Sequence, residues 1–192
     1  MTCKINIIKP TEFTQFFKGK LCFFAFSPGK DSVESRQLLQ IAKQQALEKI
    51  LSPFTPSKPI AYDFHSPTDF PNLSLSISHT QTFGAIALAE RKDHDSIGVD
   101  IELSKRDFNL KGTKFFMNPE EDASDLLELW TKKEAAFKAC APIYADCTLL
   151  KDLIIKQEKI FHKNRDIQIG AIKTCKINFE GENFILSLAK TI

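Results

Sequence analysis

Proline limits how much of this chain can be helical. Pro53 and Pro56 close one helical pattern and Pro142 closes another, because proline lacks an N–H and its ring clashes with the preceding turn. The first pattern covers residues 32–51. Val33, Leu38, Leu39, Ile41, Ala42, Ala46, Leu47, Ile50 and Leu51 recur there on one stripe. Asp31 or Ser32 is its N-cap, and Glu34 stands at capping-box distance from Asp31. The second pattern is expected to open on Asn118-Pro119-Glu120-Glu121, with Asn118 as N-cap, and to run to about Cys140 with a break near Ser124.

The other apolar runs are strand length. Residues 3–8, 21–26, 73–78, 83–89 and 96–103 read as strands, and so do 153–156, 159–162, 167–173, 176–179 and 184–189. Glu180-Gly181-Glu182-Asn183 reads as a hairpin turn. Residues 52–72 hold five prolines and are expected to be extended, with at most a short strand near 60–64. Strands and a helix followed by strands, a helix and more strands predict an α+β fold of two similar halves, 1–95 and 96–192.

Composition excludes several classes. At 192 residues a core can form without staples. A net charge of +2 with dispersed lysines argues against a nucleic-acid binder. Five cysteines with no CxxC spacing argue against a disulfide framework or zinc site and for reduced thiols in the cytoplasm. The N-terminal stretch lacks a long apolar run, and the apolar run 21–26 is far too short for a membrane span.

Three segments carry chemistry. In Gly98-Val99-Asp100-Ile101-Glu102, strand alternation puts Asp100 and Glu102 on one face and Val99 and Ile101 on the other, in a core. Paired carboxylates repel, and a hard cation such as Mg²⁺ relieves this. Taken alone, the pentapeptide is better read as an exposed acidic face neutralised by lysines. In Trp130–Lys138, helical spacing puts Trp130, Glu134, Phe137 and Lys138 on one face. That face is either a partly buried site or a simple Glu134–Lys138 helix pair. Ser76-Ile77-Ser78-His79-Thr80 ends a strand, where polar side chains and backbone N–H groups can hold a phosphate oxygen. The two glycine-rich phosphate-binding fingerprints are absent.

Together, and in this order, the three segments resemble the signature motifs of the 4′-phosphopantetheinyl transferase superfamily. These are an SxSHT-like stretch, a GVDIE-like strand and a WxxKEAxxK helix. Arg36-Gln37-Leu38-Leu39 and Lys114-Phe115-Phe116 extend the resemblance over most of residues 25–140. It implies the larger single-chain branch: two α+β lobes related by a pseudo-twofold axis, with coenzyme A between them and a monomer in solution. It implies metal ligation by Asp100, Glu102 and Glu134, with Mg²⁺ as the ion. His79 and Lys138 are implied at the pyrophosphate, Arg36 with Lys30 at the 3′-phosphate, and Ser78 and Lys133 among the other coenzyme A-binding residues. Asp100, Glu134 and Lys138 are then the catalytic set, and an acyl or peptidyl carrier protein is the partner. Either Glu134 or a metal-bound water would act as the base.

One departure stands out. The family usually carries Gly-Lys-Pro where this chain has His65-Ser66-Pro67. This leaves a second reading, a catalytically degenerate relative that binds coenzyme A or a carrier protein. A metal-dependent nuclease is a third class. Its usual E-x-K is replaced here by Glu102-Leu103-Ser104-Lys105.

Overall fold

The computed structural model describes residues 3–7, 10–52, 70–108, 110–121, 124–165 and 167–192. Its regular elements are β1 (Lys4–Ile7), β2 (Lys20–Ala25), α1 (Ser32–Leu51), β3 (Leu73–His79), β4 (Phe83–Glu90), β5 (Ile97–Leu103), α2 (Leu126–Cys140), β6 (Leu153–Lys156), β7 (Lys159–His162), β8 (Gln168–Phe179) and β9 (Glu182–Thr191). The first sheet has the order β1-β2-β4-β3 and the second β5-β9-β8-β7-β6. All pairings are antiparallel. The expected α+β class holds.

Alternation along the strands builds the layers. Cys22, Phe24, Ile86 and Leu88 face α1. Their neighbours Leu21, Phe23, Ala85 and Ala87 turn the other way and meet Val99, Ile101, Leu186 and Leu188 of the second sheet. A third core lies under α2, with Ile160, Ile169 and Ile172. Val99 and Ile101 are therefore core anchors, as their period predicts. On α1 the buried residues are Ala42, Ala46, Leu47, Ile50 and Leu51, whereas Val33 and Ile41 are exposed. Asp31 caps the helix through its side chain, accepting from the amides of Val33 and Glu34 at 2.8 and 2.9 Å. Glu34 reaches back to the amide of Lys30 rather than to that of Asp31.

The two sheets meet along β3 and β5 through side chains. Leu75 and Ile77 belong to the core under α1, so Ser74, Ser76 and Ser78 lie on the opposite face, buried. A buried hydroxyl needs partners. Ser76 Oγ accepts from the amide of Val99 at 2.9 Å and Ser78 Oγ from that of Ile101 at 3.4 Å. The serine pair thus takes the place of a backbone ladder between the sheets.

Two expectations need correction. The second helix opens at Leu126, capped by Asp125 accepting from the amide of Glu128, and not at Asn118. Glu121 does accept from the amide of Asn118, as in a capping box, but its other oxygen is taken by the amide of Ile155 and by Lys133. Those long-range partners hold 118–121 as a turn against β6. The two short strands expected over 167–179 are one strand, β8, because β9 pairs with it along its length. The hairpin turn between them holds: Glu180 and Gly181 have φ of 52° and 81°, as a two-residue turn of inverted hand requires. The possible strand near 60–64 and His65-Ser66-Pro67 lie outside the described residues.

Gly98 fixes how closely α2 approaches β5. A Cβ on Gly98 would stand 1.9 Å from the carbonyl oxygen of Ala135 and 2.7 Å from the amide nitrogen of Ala139. Both are helix backbone, so the helix itself would have to move. Gly98→Ala is expected to cost ~1–3 kcal/mol or more, as overpacking does, read as a lower denaturant midpoint. An unchanged midpoint would mean that this approach is not tight.

Asp152 ties down the segment that follows α2. Burial alone would raise its pKa. Lys163 and the amides of Leu149 and Thr148 outweigh that, and hold it at about 2. A depressed folded-state pKa adds stability above the ordinary aspartate value of 3.8, lost as pH falls to about 2. Asp152→Asn is therefore expected to be less stable than the wild type at neutral pH, with the gap closing across that window in acid melts. A gap that does not change with pH would contradict the assignment.

Candidate functional site

Asp100, on β5, points to the α2 side, opposite Val99 and Ile101. It is only 5% exposed. Its Oδ1 accepts from Ser78 Oγ at 2.7 Å and from Lys138 Nζ at 2.8 Å. Its Oδ2 is buried with no hydrogen-bond partner among the described residues. A buried carboxylate oxygen left unpaired is costly, so this atom marks a place for a ligand. Asp100 is thus not part of an exposed acidic face.

Lys138 lies one turn beyond Glu134 on α2. It donates to the carbonyl of Val99 at 3.1 Å as well as to Asp100. It forms no ion pair with Glu134. The simple helix pair that the spacing allowed is therefore replaced by a tie across elements. Glu134 is half-buried, and its pKa is raised, first by burial and then by the charge of Asp100. Lys138 pulls it back down, Glu102 adds a smaller push upward, and Arg106 a smaller pull downward. Glu134 thus feels both carboxylates of β5.

Glu102 is already engaged. Its Oε1 accepts from Trp130 Nε1 at 3.1 Å and is ion-paired with Arg106. Trp130 is held by Phe108 and Phe116, with ring centroids 5.6 and 5.2 Å away. Among the described residues, no three His, Cys, Asp or Glu side chains stand together closely enough to hold a metal ion. The donor chemistry of Asp100 and Glu134 suits a hard cation; Glu102 faces Arg106 instead.

A cavity of about 880 Å³ opens beside this cluster. Ser35, Arg36 and Leu39 of α1 line one wall. His79, Thr80 and Gln81 after β3 line another, and Glu102, Lys105 and Arg106 close it at the end of β5. Its charged walls are mainly cationic. The pKa of His79 is lowered, first by burial and then by Lys43. Lys43 itself is lowered by burial and by Lys138. Cations that press on one another in this way favour an anion between them.

The expected site residues therefore divide. Arg36 and His79 line the cavity, and Lys138 sits at the carboxylate cluster. Lys30 is exposed, and its backbone amide donates to Glu34. Ser78 is committed to Asp100 and to the amide of Ile101, which joins the sheets. Lys133 is corrected. It is fully buried and paired with Glu121 at 2.6 Å, and it also donates to the carbonyl of Leu153. It faces β6, so it does not reach the cavity. Lys43, Lys105 and Arg106 were not anticipated. Lys43 lies seven residues after Arg36, on the same helical face, and that spacing was the available signal.

No family model matches the chain, and a comparison with curated proteins finds no match either.

Proposed function

We propose that the protein transfers the 4′-phosphopantetheine arm of coenzyme A to a serine of an acyl or peptidyl carrier protein. The observation that carries this reading is a cationic cavity of about 880 Å³ beside a buried aspartate with one unpartnered oxygen. The order of the three motifs supports it, and so does the meeting of two sheet-and-helix halves at β3 and β5. The finer fold reading, two lobes related by a pseudo-twofold axis, belongs to the same proposal.

In the proposed reaction the carrier serine oxygen attacks the β-phosphorus of coenzyme A. A phosphorus–oxygen bond breaks, and 3′,5′-adenosine bisphosphate leaves. Arg36 and His79 hold phosphate oxygens on the cavity wall, and Lys43 and Lys138 add positive charge to the same region. Lys30 extends the cationic side toward solvent. Glu134, with its raised pKa, is suited to receive the serine proton. Mg²⁺ would be held by Asp100 and Glu134, with Glu102 left to Arg106, and would offset charge on the pyrophosphate when bound. Trp130 and Ser78 act by positioning Glu102 and Asp100.

A second reading, binding without transfer, is favoured by one observation: Glu102 is held by Arg106. The test is incubation of the purified protein with coenzyme A, Mg²⁺ and a panel of apo carrier proteins, read by intact mass. A gain equal to the phosphopantetheine arm is the expected result. Retained coenzyme A binding with no gain on any carrier would favour the second reading. Loss of both would overturn the two together.

A further inference from the structure

We propose that His94 is an acid-sensitive clasp: its neutral ring holds residues 16–18 against the second half of the molecule, and its protonated ring releases them. The clasp lies near the Ile97 end of β5, away from the cavity at the Leu103 end, and is independent of the transferase reading.

Residues 10–19 link β1 to β2 of the first sheet. Phe13 and Phe17 anchor this segment, fully buried in the core between the sheets. His94 stands in the turn that carries the chain from β4 to β5. Its Nε2 accepts from the amide of Lys18 at 3.2 Å. Its ring stacks on Phe17, with centroids 5.6 Å apart and planes 14° from parallel. Lys190 of β9, the register partner of Ile97, donates to the carbonyl of Phe16 at 2.8 Å and lies over its ring. Lys18 Nζ stands 3.7 Å from Asp93. The segment is thus tied to the turn and to the second sheet at one place, with His94 at its centre.

Protonation undoes the central tie. Because Nε2 accepts, the neutral ring carries its proton on Nδ1. An imidazolium has a proton on both nitrogens and accepts on neither. Its Nε2–H would then face the N–H of Lys18, two donors with no acceptor between them. The residue is only 8% exposed, so a charge there is poorly solvated. The charged groups that face it are Lys18 on the segment, Asp93 on its own turn and Lys190 on β9, two cations against one anion. Burial holds the pKa of His94 below the ordinary 6.5, Lys190 pushes it further down, Asp93 pulls it back up, and Lys18 adds a smaller push down. The charged ring is better solvated outside, and Lys18 loses its acceptor when the ring leaves. A lowered folded-state pKa sets the sign. The tie is at full strength above 6.5 and is lost as pH falls through the folded-state value.

The test follows hydrogen exchange of the Lys18 amide in the full chain from about pH 8 to about pH 4.5, each rate divided by that of an unstructured chain at the same pH. The NMR shift of the His94 ring records its titration in the same samples. Protection of Lys18 is expected to fall about tenfold for each unit by which His94 titrates below 6.5. At the acid end Lys18 is expected to exchange well ahead of Leu188 in the core of β9, as local release requires. His94→Gln keeps an acceptor and does not titrate. Its Lys18 protection is expected to stay level across the range, and the variant is expected to gain on the wild type in acid thermal melts.

His94 titrating at 6.5 or above overturns the proposal, as does Lys18 protection that does not follow the His94 titration. The same acid loss in His94→Gln also overturns it. Exchange of Lys18 in step with Leu188 would mean that the fold opens as a whole, with no clasp. Should His94→Gln fail to fold, the wild-type titration and exchange decide the matter by themselves.

Discussion

Glu134→Gln is expected to reduce transfer to a carrier serine by ~10²- to 10³-fold, the scale on which a preorganised charged group at a reaction centre contributes. It is also expected to make the protein slightly more stable. Glu134 is half-buried and faces Asp100 and Glu102, and burial is the first cause of its raised pKa. A raised folded-state pKa means that the fold favours the protonated acid. That contribution is present below the ordinary value of 4.5 and is lost as pH rises through the folded-state value. Glutamine does not titrate, so the variant's advantage should be largest at neutral pH and vanish in acid. Thermal melts with a chelator present, across pH 3 to 8 or so, read this directly. Turnover is read by intact mass of the carrier. Near-native turnover in the variant would remove Glu134 from the mechanism. A cost in stability at neutral pH would contradict the described electrostatics. Lost activity with gained stability is the pattern expected where a site holds like charges for function.

The second large effect lies away from the cavity. Lys133→Met is expected to destabilise the protein by ~3–5 kcal/mol, because it leaves a charge buried without its partner. Lys133 and Glu121 both have fully buried side chains, 2.6 Å apart. Burial pushes the pKa of Lys133 down and Glu121 pulls it back up. Glu121 also accepts from the amides of Asn118 and Ile155, each at 2.7 Å. An apolar replacement of both residues would leave those two amides without acceptors. Glu121→Leu with Lys133→Met is therefore not expected to recover wild-type stability, although many buried pairs can be exchanged in this way. Urea unfolding measures both variants. At a temperature where Lys133→Met remains folded, its affinity for coenzyme A should match that of the wild type, because Lys133 faces β6 and not the cavity. A selective loss of coenzyme A binding would restore Lys133 to the cofactor site.

How far the site could be read from the chain depends on the range of each interaction. The same-face placement of Asp100 and Glu102 follows from a two-residue period, and that of Glu134 and Lys138 from a helical one. Both hold in the structure. Which partner each charge takes does not follow from period. Lys138 could have paired with Glu134 one turn away, and instead crosses to Asp100 on β5. Ser78 could have faced a phosphate, and instead joins the two sheets and steadies Asp100. Arg106 lies outside every recognised motif, and only the turn after β5 brings it back to Glu102.

Local pattern was enough to specify α1 over Ser32–Leu51 with Asp31 as its cap, the strands around the acidic pair, and the tight Glu180-Gly181 turn. These depend on side-chain period, capping hydrogen bonds and φ preference, all set within a few residues. Tertiary structure alone decided the start of α2, where Glu121 is drawn to Lys133 and Ile155 rather than to a helix. It also decided which of two neighbouring lysines is a buried strut and which stands at the carboxylates. Lys133 and Lys138 differ little in local context. They differ in what the packed sheet places opposite them: Glu121 for one, Asp100 for the other.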